Sequence, residues 1–397
     1  MQIGLLGKTN VGKSTFFSAA TETLVQIGNY PFTTIEPNVG IAYVKTNCAC
    51  KHFGIEHKHS LCIEGTRFIP VKLIDIAGLV PGAHEGKGLG NKFLDNARQA
   101  EVLIHVVDAS GSTDSQGQSV AVGTQDPLQD VQFVEEEFDK WMLQILKREW
   151  QKLARETETK NIKLIPTIAE RLSGLGINEY DVGSVLQKLE LLTKKPTTWN
   201  DDDLFLFIKE LRNSTKPMII AANKADLCTD LSVIEELKKK GATIACSAET
   251  ELVLKKASKA GLIDYNPGEK NFKIKDGVNI TPEQSKALEL VKTVLAKLES
   301  TGVQQIIHSA CFDLLKLIVV FPVEDETNLS NKDGDILPDA HLLPLGSTVK
   351  DLATLIHSDL AKGFLHAIDV KTKQQISGSH QLRNEDVIKI ISTLSRG

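Results

Sequence analysis

The sequence predicts an α/β protein with a parallel sheet covered by helices on both faces, followed by a smaller mixed unit. Short, almost uninterrupted apolar runs alternate with helical patterns in the first 125 residues, which is typical of parallel strands buried on both faces. A glycine-rich segment joins the first strand to the first helix, as in many doubly wound domains. The chain has 397 residues, 41% of them hydrophobic, and a net charge of −5. We therefore expect a globular protein of more than one domain that does not bind nucleic acid by bulk positive charge.

The spacing of apolar residues places the individual elements. Strands are predicted at 3–6, 71–76 and 103–107, with helices at 13–23 and 90–100. From Val131 to Leu153, apolar residues recur at three- and four-residue steps and predict one long amphipathic helix. Further helices are predicted at 162–172, 182–192, 204–211 and 282–298, and strands at 218–222 and 243–246.

The last segment has strand patterns at 316–323, 340–345, 365–370 and 387–391, with a helix at 349–361. This mixture predicts a separate small β/α unit. The chain therefore divides into a first part of an α/β domain (1–125), a helical insertion (126–215), the second part of that domain with a linking helix (216–312) and a final domain (313–397).

The glycine-rich segment reads Gly-Lys-Thr-Asn-Val-Gly-Lys-Ser and fits G-x-x-x-x-G-K-[ST] in the required strand–loop–helix context. Its backbone N–H groups and the helix N-terminus suit phosphate oxygens. Lys13 should contact the β- and γ-phosphates and act in catalysis, while the Ser14 hydroxyl should bind Mg²⁺. The nucleotide-binding residues predicted here are Gly7, Asn10, Val11, Gly12, Lys13, Ser14 and Thr15.

A second motif, Asp75-Ile-Ala-Gly78, follows an apolar strand. The Asp75 carboxylate can hold Mg²⁺ through water, and the Gly78 backbone N–H can meet a γ-phosphate and move when it leaves. A third motif, Asn223-Lys224-Ala-Asp226, follows another strand. Asp226 can accept both donors of the guanine Watson–Crick edge, which adenine lacks.

The other residues of this third motif have predicted roles as well. Asn223 can bridge base and loop, and the Lys224 stem can cover the ring. Ser247-Ala248 follows the next strand, so the Ala248 N–H can donate to guanine O6. Together these motifs predict a P-loop domain that binds guanine nucleotide, GTP or GDP.

The sequence resembles the Obg/YchF family of GTPases over essentially its whole length, and is most similar to archaeal YchF-type members. The most specific stretches are 10–14, 29–38, 75–84 and 86–91, with 344–349 and 378–386 similar to landmarks of the TGS domain. The resemblance implies a G domain interrupted by a coiled-coil-like insertion and followed by a ubiquitin-like β-grasp (TGS) domain. It also implies GTP hydrolysis, a Mg²⁺-binding switch residue at Thr34, and action with ribosomes or ribosomal RNA.

Two alternatives to a GTP-hydrolysing switch stay open. Many YchF relatives have an altered base motif and prefer ATP, so an ATPase is one; Lys224 and Asp226, which are kept here, favour GTP. A ribosome- or RNA-binding scaffold with negligible turnover is the other. Leu79 supports it, because this residue occupies the usual glutamine position and cannot orient water. We therefore expect slow intrinsic turnover.

Two residues are candidates for completing the catalytic site. Asn10 occupies the loop position at which K⁺-activated GTPases hold their ion, so K⁺ is a candidate cofactor. His84 lies in a loop expected to reorder with nucleotide state, although a surface histidine without a role explains it equally well.

A short segment is rich in cysteine and histidine. Cys48, Cys50 and Cys62, with His57 or His59, could bind Zn²⁺. The spacing is not the usual C-x₂-C pair, so the sequence favours a reduced, partly buried loop and leaves zinc as the alternative.

Residues 238–275 are locally basic. A solvated face is the simpler interpretation of these nine lysines, and an RNA-facing surface the other. No apolar run is long enough for a bilayer, and the chain enters a strand directly without an export signal. We therefore expect a cytoplasmic, monomeric protein without membrane partners, whose cysteines are reduced.

Overall fold

The computed structural model describes residues 1–22, 39–55, 61–76, 97–160 and 162–393. Two compact units divide these residues. The first contains 1–22, 39–41, 72–76, 97–160 and 162–306, and the second contains 42–55, 61–71 and 307–393. Residues 42–55 and 61–71 thus group with the C-terminal segment rather than with the other described residues of 1–125. The four predicted domain segments stay a prediction.

Within the described part of the chain, a seven-stranded sheet forms the centre of the predicted α/β domain. Its strands are β1 Gln2–Leu6, β2 Val39–Asn47, β3 Cys62–Ile63, β4 Thr66–Asp75, β5 Val102–Asp108, β6 Met218–Asn223 and β7 Thr243–Ala245. Their order is β2-β4-β1-β5-β6-β7, with β3 on β4. The pairs from β4 to β7 are parallel, as predicted. The β3–β4 pair is antiparallel because a two-residue turn joins its strands, so the sheet is mixed.

The helices of the described residues connect and cover the strands. They are α1 Lys13–Thr21, α2 Cys50–Phe53, α3 Pro127–Lys147, α4 Trp150–Thr159, α5 Leu164–Leu172, α6 Glu179–Lys188, α7 Asp201–Thr215, α8 Ser232–Lys238, α9 Ala248–Lys259, α10 Pro282–Leu298 and α11 Val303–Ser309. A small hairpin, β8 Ile263–Asp264 with β9 Lys273–Ile274, lies between α9 and α10. Of the predicted helix at 90–100, only 97–100 fall within the described residues, and 97–99 of these are helical. None of the described helices is long and apolar enough to cross a membrane.

The single long helix predicted from Val131 to Leu153 is wrong. The helix is interrupted between α3 and α4, where Glu149 takes a left-handed conformation with φ of 62°. Apolar periodicity continues through the break and therefore could not reveal it. At the start of α4, Trp150 stacks on Trp199 with ring centroids 5.2 Å apart, and this long-range contact fixes where α4 begins.

The helical insertion shares a core with the sheet. Side chains of α3, α4, α5, α6 and α7 form one buried cluster with Leu6, Ile74 and Leu103 of the strands. Asn178 and Asn200 cap α6 and α7 through reciprocal capping boxes. On the other strands, Val107, Ile220 and Ala222 pack against α8.

The second unit contains a five-stranded mixed sheet. Its strands are β10 Leu317–Val323, β11 His341–Pro344, β12 Phe364–Asp369, β13 Gln374–Ile376 and β14 Asp386–Ser392, in the order β11-β10-β14-β12-β13. Only the β10–β14 pair is parallel. Helix α12 Val349–Ile356 packs Val349 and Leu352 on this sheet. This arrangement confirms the predicted ubiquitin-like β-grasp fold.

The helix predicted at 349–361 is wrong as one element. It is divided into α12 and α13 Ser358–Lys362 by the extended residue His357. The His357 Nδ1 accepts from the Asp359 N–H at 3.2 Å and so caps the second helix.

We expect Phe207→Ala to destabilise the helical insertion strongly. Phe207 is fully buried and lies 6.3 Å from the Trp199 ring, and truncating such a residue costs about 3–5 kcal/mol. The chain's three tryptophans, Trp141, Trp150 and Trp199, all lie in this segment. Their fluorescence during urea unfolding therefore reports on it. Leu206→Ala is the matched control, because Leu206 is 48% exposed; an equal loss in both variants would contradict the packing described.

Candidate nucleotide-binding site

The glycine-rich loop follows β1 and leads into α1, as the motif requires. Gly12 precedes α1 with φ of 97°, and a Cβ there would lie 2.3 Å from the Asn223 Nδ2. Only glycine therefore allows the loop to approach β6 so closely. Val11 is fully buried and anchors the loop.

Lys13 lies at the start of α1 and is almost completely buried. Its ammonium donates to the Lys8 carbonyl at 2.7 Å. Burial lowers the pKa of Lys13 to about 8, and the charge of Asp75 opposes this shift only in part. A buried amine of this kind gains most from a neighbouring anion, which is what a phosphate would provide.

Ser14 and Asp75 meet at the ends of α1 and β4. The Ser14 hydroxyl donates to the Asp75 Oδ2 at 3.2 Å. Burial raises the pKa of Asp75, whereas Lys13 and Ser14 lower it by less. A hydroxyl and a carboxylate side by side offer the oxygen ligands that Mg²⁺ prefers.

Asn223, at the end of β6, ties the base motif to the phosphate loop. Its Nδ2 donates to the Val11 carbonyl at 3.0 Å, and its Oδ1 accepts from the Ala248 N–H at 3.0 Å. The structure thus gives the Ala248 N–H a protein partner, and its contact with guanine O6 stays a prediction. Ser247 caps α9 by accepting from the Thr250 N–H.

Lys224 and Asp226 follow Asn223 in a loop that two lysines hold in place. Lys224, with φ of 58°, donates to the Asp108 Oδ2 at 2.8 Å and to the Thr113 hydroxyl at 3.0 Å, so its stem is fixed. The Lys297 ammonium, from α10, donates to the carbonyls of Ala225, Asp226 and Cys228. Asp226 is thereby held, half-buried, in a defined backbone.

Several residues of this site were missed by the sequence reasoning. Asp108 ends β5 and accepts from Lys224, Ser110 and Thr113; burial would raise its pKa, but these hydrogen bonds together lower it. A carboxylate at the end of a buried parallel strand is the same signal that identified Asp75, so Asp108 could have been found.

The missed pair Lys8–Asp130 links the loop to the first turn of α3. The Lys8 ammonium donates to the Asp130 carboxylate at 2.7 Å and to the Thr113 carbonyl at 2.9 Å, and both side chains are buried. No local motif signals this pair. Asn10 also contacts the segment after β5, because its Nδ2 donates to the Gly117 carbonyl at 2.8 Å.

Thr34, Gly78, Leu79, His84, His57 and His59 lie outside the described residues. Cys48, Cys50 and Cys62 lie together in the second unit. Six of the nine lysines between 238 and 275 form ion pairs with carboxylates, namely Lys238, Lys239, Lys255, Lys259, Lys270 and Lys275. The basic stretch therefore gives no uniformly positive surface.

Three families match successive parts of the chain. Residues 2–148 match a family described as 50S ribosome-binding GTPase. Residues 221–325 match the G4 motif-containing domain of YGR210-like Obg-like GTPases, and residues 330–392 match the TGS domain. The first two matches contain the phosphate loop and the base motif described above.

Relatives align with almost the whole chain. A GTP-binding protein of Methanocaldococcus jannaschii is 47% identical over 98% of both chains. One of Schizosaccharomyces pombe is 35% identical over 89% of both, and the Obg-like ATPase 1 of Homo sapiens is 27% identical over 92% of this chain and 82% of its own.

Solved structures agree with this assignment. The crystal structure of a GTP-binding protein from Pyrococcus horikoshii OT3 has a TM-score of 0.78 and 41% identity, covering 99% of this chain and all of its own. The YchF GTPase of Schizosaccharomyces pombe shares the fold, with a TM-score of 0.58 and 20% identity over 98% and 97% of the two chains. The chain therefore belongs to the Obg-like GTPases, as a GTP-binding protein with a C-terminal TGS domain.

Proposed function

We propose that this GTP-binding protein hydrolyses GTP to GDP and phosphate and works as a Mg²⁺-dependent switch. One observation carries the proposal: Lys13, which is buried, and Ser14 begin α1 directly after a loop whose Val11 carbonyl accepts from Asn223 of the guanine motif, and the Ser14 hydroxyl donates to Asp75 at the end of β4. Base recognition and phosphate chemistry are thus parts of one rigid arrangement, as hydrolysis of a bound nucleotide requires.

The residues fit a hard cation. Ser14 supplies a hydroxyl ligand, Asp75 a carboxylate that can act through water, and Thr34 is the third proposed ligand. When bound, Mg²⁺ would neutralise charge on the β- and γ-phosphates. Lys13 would stabilise the same oxygens in the transition state, and the Gly78 N–H would sense the γ-phosphate.

The proposed turnover is slow because Leu79 offers no hydrogen bond to the attacking water. K⁺ near the phosphates would add positive charge where it develops. Asn10 is the proposed ligand: an amide that donates through Nδ2 to Gly117 still offers its Oδ1 to a cation. His84 is the other proposed contributor.

The base motif supports GTP rather than ATP. Adenine would leave the Asp226 carboxylate without its two donors, while Asp108 keeps the Lys224 stem in position. ATP remains the alternative nucleotide to test, because one of the relatives is named as an ATPase. Competition of GTP and ATP against a fluorescent GDP analogue separates the two nucleotides.

We also propose that the switch acts with the ribosome or its RNA. The family description of residues 2–148 supports this proposal. The paired lysines of 238–275 do not, so we place the contact elsewhere on the chain. Sedimentation with ribosomal subunits in GDP and in a non-hydrolysable GTP analogue tests it, and equal absence from the subunits in both states would contradict it.

Asp226→Asn should move the base preference from guanine towards xanthine. The new amide places an NH₂ opposite the guanine donors, which should weaken GTP binding about tenfold to hundredfold and improve binding of xanthosine triphosphate. Asp230→Asn is the control, because it removes the same charge from an exposed position in the same loop. Unchanged GTP affinity in Asp226→Asn would show that this residue does not read the base.

Hydrolysis should be faster in KCl than in NaCl at equal ionic strength, and should depend on Lys13 and Ser14 in both salts. Lys13→Ala and Ser14→Ala should each reduce multiple-turnover phosphate release by about 10²–10³-fold, because they remove charge stabilisation or a metal ligand. Asn10→Ala should remove most of the difference between the salts. Equal wild-type rates in the two salts would remove K⁺ from the mechanism, and full activity without Lys13 and Ser14 would contradict the site.

GDP binding should take up a proton at alkaline pH. With a pKa of about 8, Lys13 is roughly three-quarters neutral at pH 8.5 and roughly one-tenth neutral at pH 7. A bound phosphate favours the charged amine, so affinity should fall as pH rises above about 8. Calorimetry in buffers of different ionisation enthalpy should give more than half a proton per nucleotide at pH 8.5. Lys13→Arg, charged throughout this range, should abolish the uptake; persistent uptake would assign the proton to another group.

A further inference from the structure

Three cysteines converge in the second unit. Cys48 follows β2, Cys50 begins α2 and Cys62 begins β3. Their sulfur atoms all lie within 4.8 Å of one another, and the Cys50 and Cys62 sulfurs are 3.9 Å apart. Cys48 and Cys50 are 2% and 5% exposed. The three thiols thus form one compact cluster, in which Cys48 and Cys50 are buried and Cys62 is half-buried.

The backbone around the cluster is well hydrogen-bonded. The Cys48 N–H donates to the Gly65 carbonyl at 2.9 Å, and the Ile55 N–H donates to the Cys50 carbonyl at 3.1 Å. Cys62 pairs with Arg67 across the β3–β4 hairpin. These hydrogen bonds hold the end of β2, helix α2 and the β3–β4 hairpin next to one another. The three cysteines are therefore close together because of the local backbone fold.

The Cys50–Cys62 separation of 3.9 Å matches two sulfurs of a tetrahedral thiolate site, and the Cys48 sulfur lies within 4.8 Å of both. With Zn–S bonds of about 2.3 Å, two thiolates on one tetrahedral Zn²⁺ lie about 3.8 Å apart. A disulfide would join only two of the three sulfurs, at about 2.05 Å. Buried cysteines can also lie singly in a protein core, as Cys246 does, whose thiol donates to the Asn223 Oδ1 at 3.7 Å. A cysteine buried singly in a core does not explain why three sulfur atoms lie together.

A positively charged side chain near the cluster suits a zinc–thiolate site, which is negatively charged overall. Zn²⁺ with three thiolates carries a net charge of −1, and binding would release three thiol protons. Arg67, the cross-strand neighbour of Cys62, is buried, and its Nη2 donates to the Pro338 carbonyl at 2.6 Å. Its guanidinium brings positive charge to the same hairpin and offsets the negative site.

We propose that Cys48, Cys50 and Cys62 bind one Zn²⁺ through their thiolates and so fix the segment between β2 and β4. Soft sulfur ligands select Zn²⁺ over the hard cations of the nucleotide site. His57 and His59 lie outside the described residues, and the proposal rests on the three thiolates alone. It is independent of the proposed GTPase activity.

Metal analysis of the purified full chain tests the proposal. After growth with added zinc and dialysis, we expect about one zinc per chain, released on titration of the thiols with a mercurial reagent. In competition with a fixed concentration of a chromogenic chelator, Cys48→Ser and Cys62→Ser should each retain at least tenfold less zinc per chain than the wild type. Cys228→Ser is the matched control, since Cys228 is buried in the other unit, and should keep it.

Cobalt substitution keeps the test informative if a variant fails to fold. The wild-type chain reconstituted with Co²⁺ should show the sulfur-to-metal charge-transfer band and the visible bands of a tetrahedral thiolate site. Zinc well below one per chain, zinc unchanged in both cysteine variants, an octahedral Co²⁺ spectrum, or a Cys50–Cys62 disulfide in protein prepared without reductant would each overturn the proposal.

Discussion

The Asn223 amide holds the nucleotide site together. It donates to Val11 in the phosphate loop and accepts from Ala248 at the start of α9, so both ends of the amide are committed inside the protein. In the strand order, β5 separates β6 from β1. Asn223 therefore crosses the end of β5, and this crossing is open only because Gly12 has no side chain. In the proposed site, these two hydrogen bonds would set the position of the base relative to the phosphates.

The Lys8–Asp130 pair extends the same arrangement to the helical insertion. Asp130 lies in the first turn of α3, and burial raises its pKa although Lys8 opposes the shift. Leaving either buried charge without its partner costs about 3–5 kcal/mol, so the beginning of the insertion and the phosphate loop are strongly constrained to move together. Thr113, which contacts Lys8, Lys224 and Asp108, joins this pair to the base motif. The first helix of the insertion is thus connected to the phosphate loop and the base motif by hydrogen bonds and an ion pair.

What the sequence could predict depended on how local the signal was. Apolar periodicity located most strands and helices, and α10 Pro282–Leu298 agrees with its prediction at both ends. The loop around Lys13 was recognisable because strand, glycines and helix are adjacent in the chain. The helix break at Glu149 was not recognisable, because the stack between Trp150 and Trp199 leaves no local pattern. The Lys8–Asp130 ion pair was not recognisable either, because its residues are 122 positions apart in the chain. The grouping of 42–55 and 61–71 with the C-terminal segment is equally non-local.

The electrostatics of Lys13 and Asp75 explain why this arrangement suits a ligand with both signs of charge. Burial moves the two pKa values towards each other, lowering that of Lys13 and raising that of Asp75. Each group is therefore charged at a cost that the other only partly offsets. Phosphate oxygens beside the amine and a cation beside the carboxylate would remove both costs at once. The same burial that disfavours charge in the free protein would thus strengthen the proposed contacts with nucleotide and metal, because the local dielectric is low.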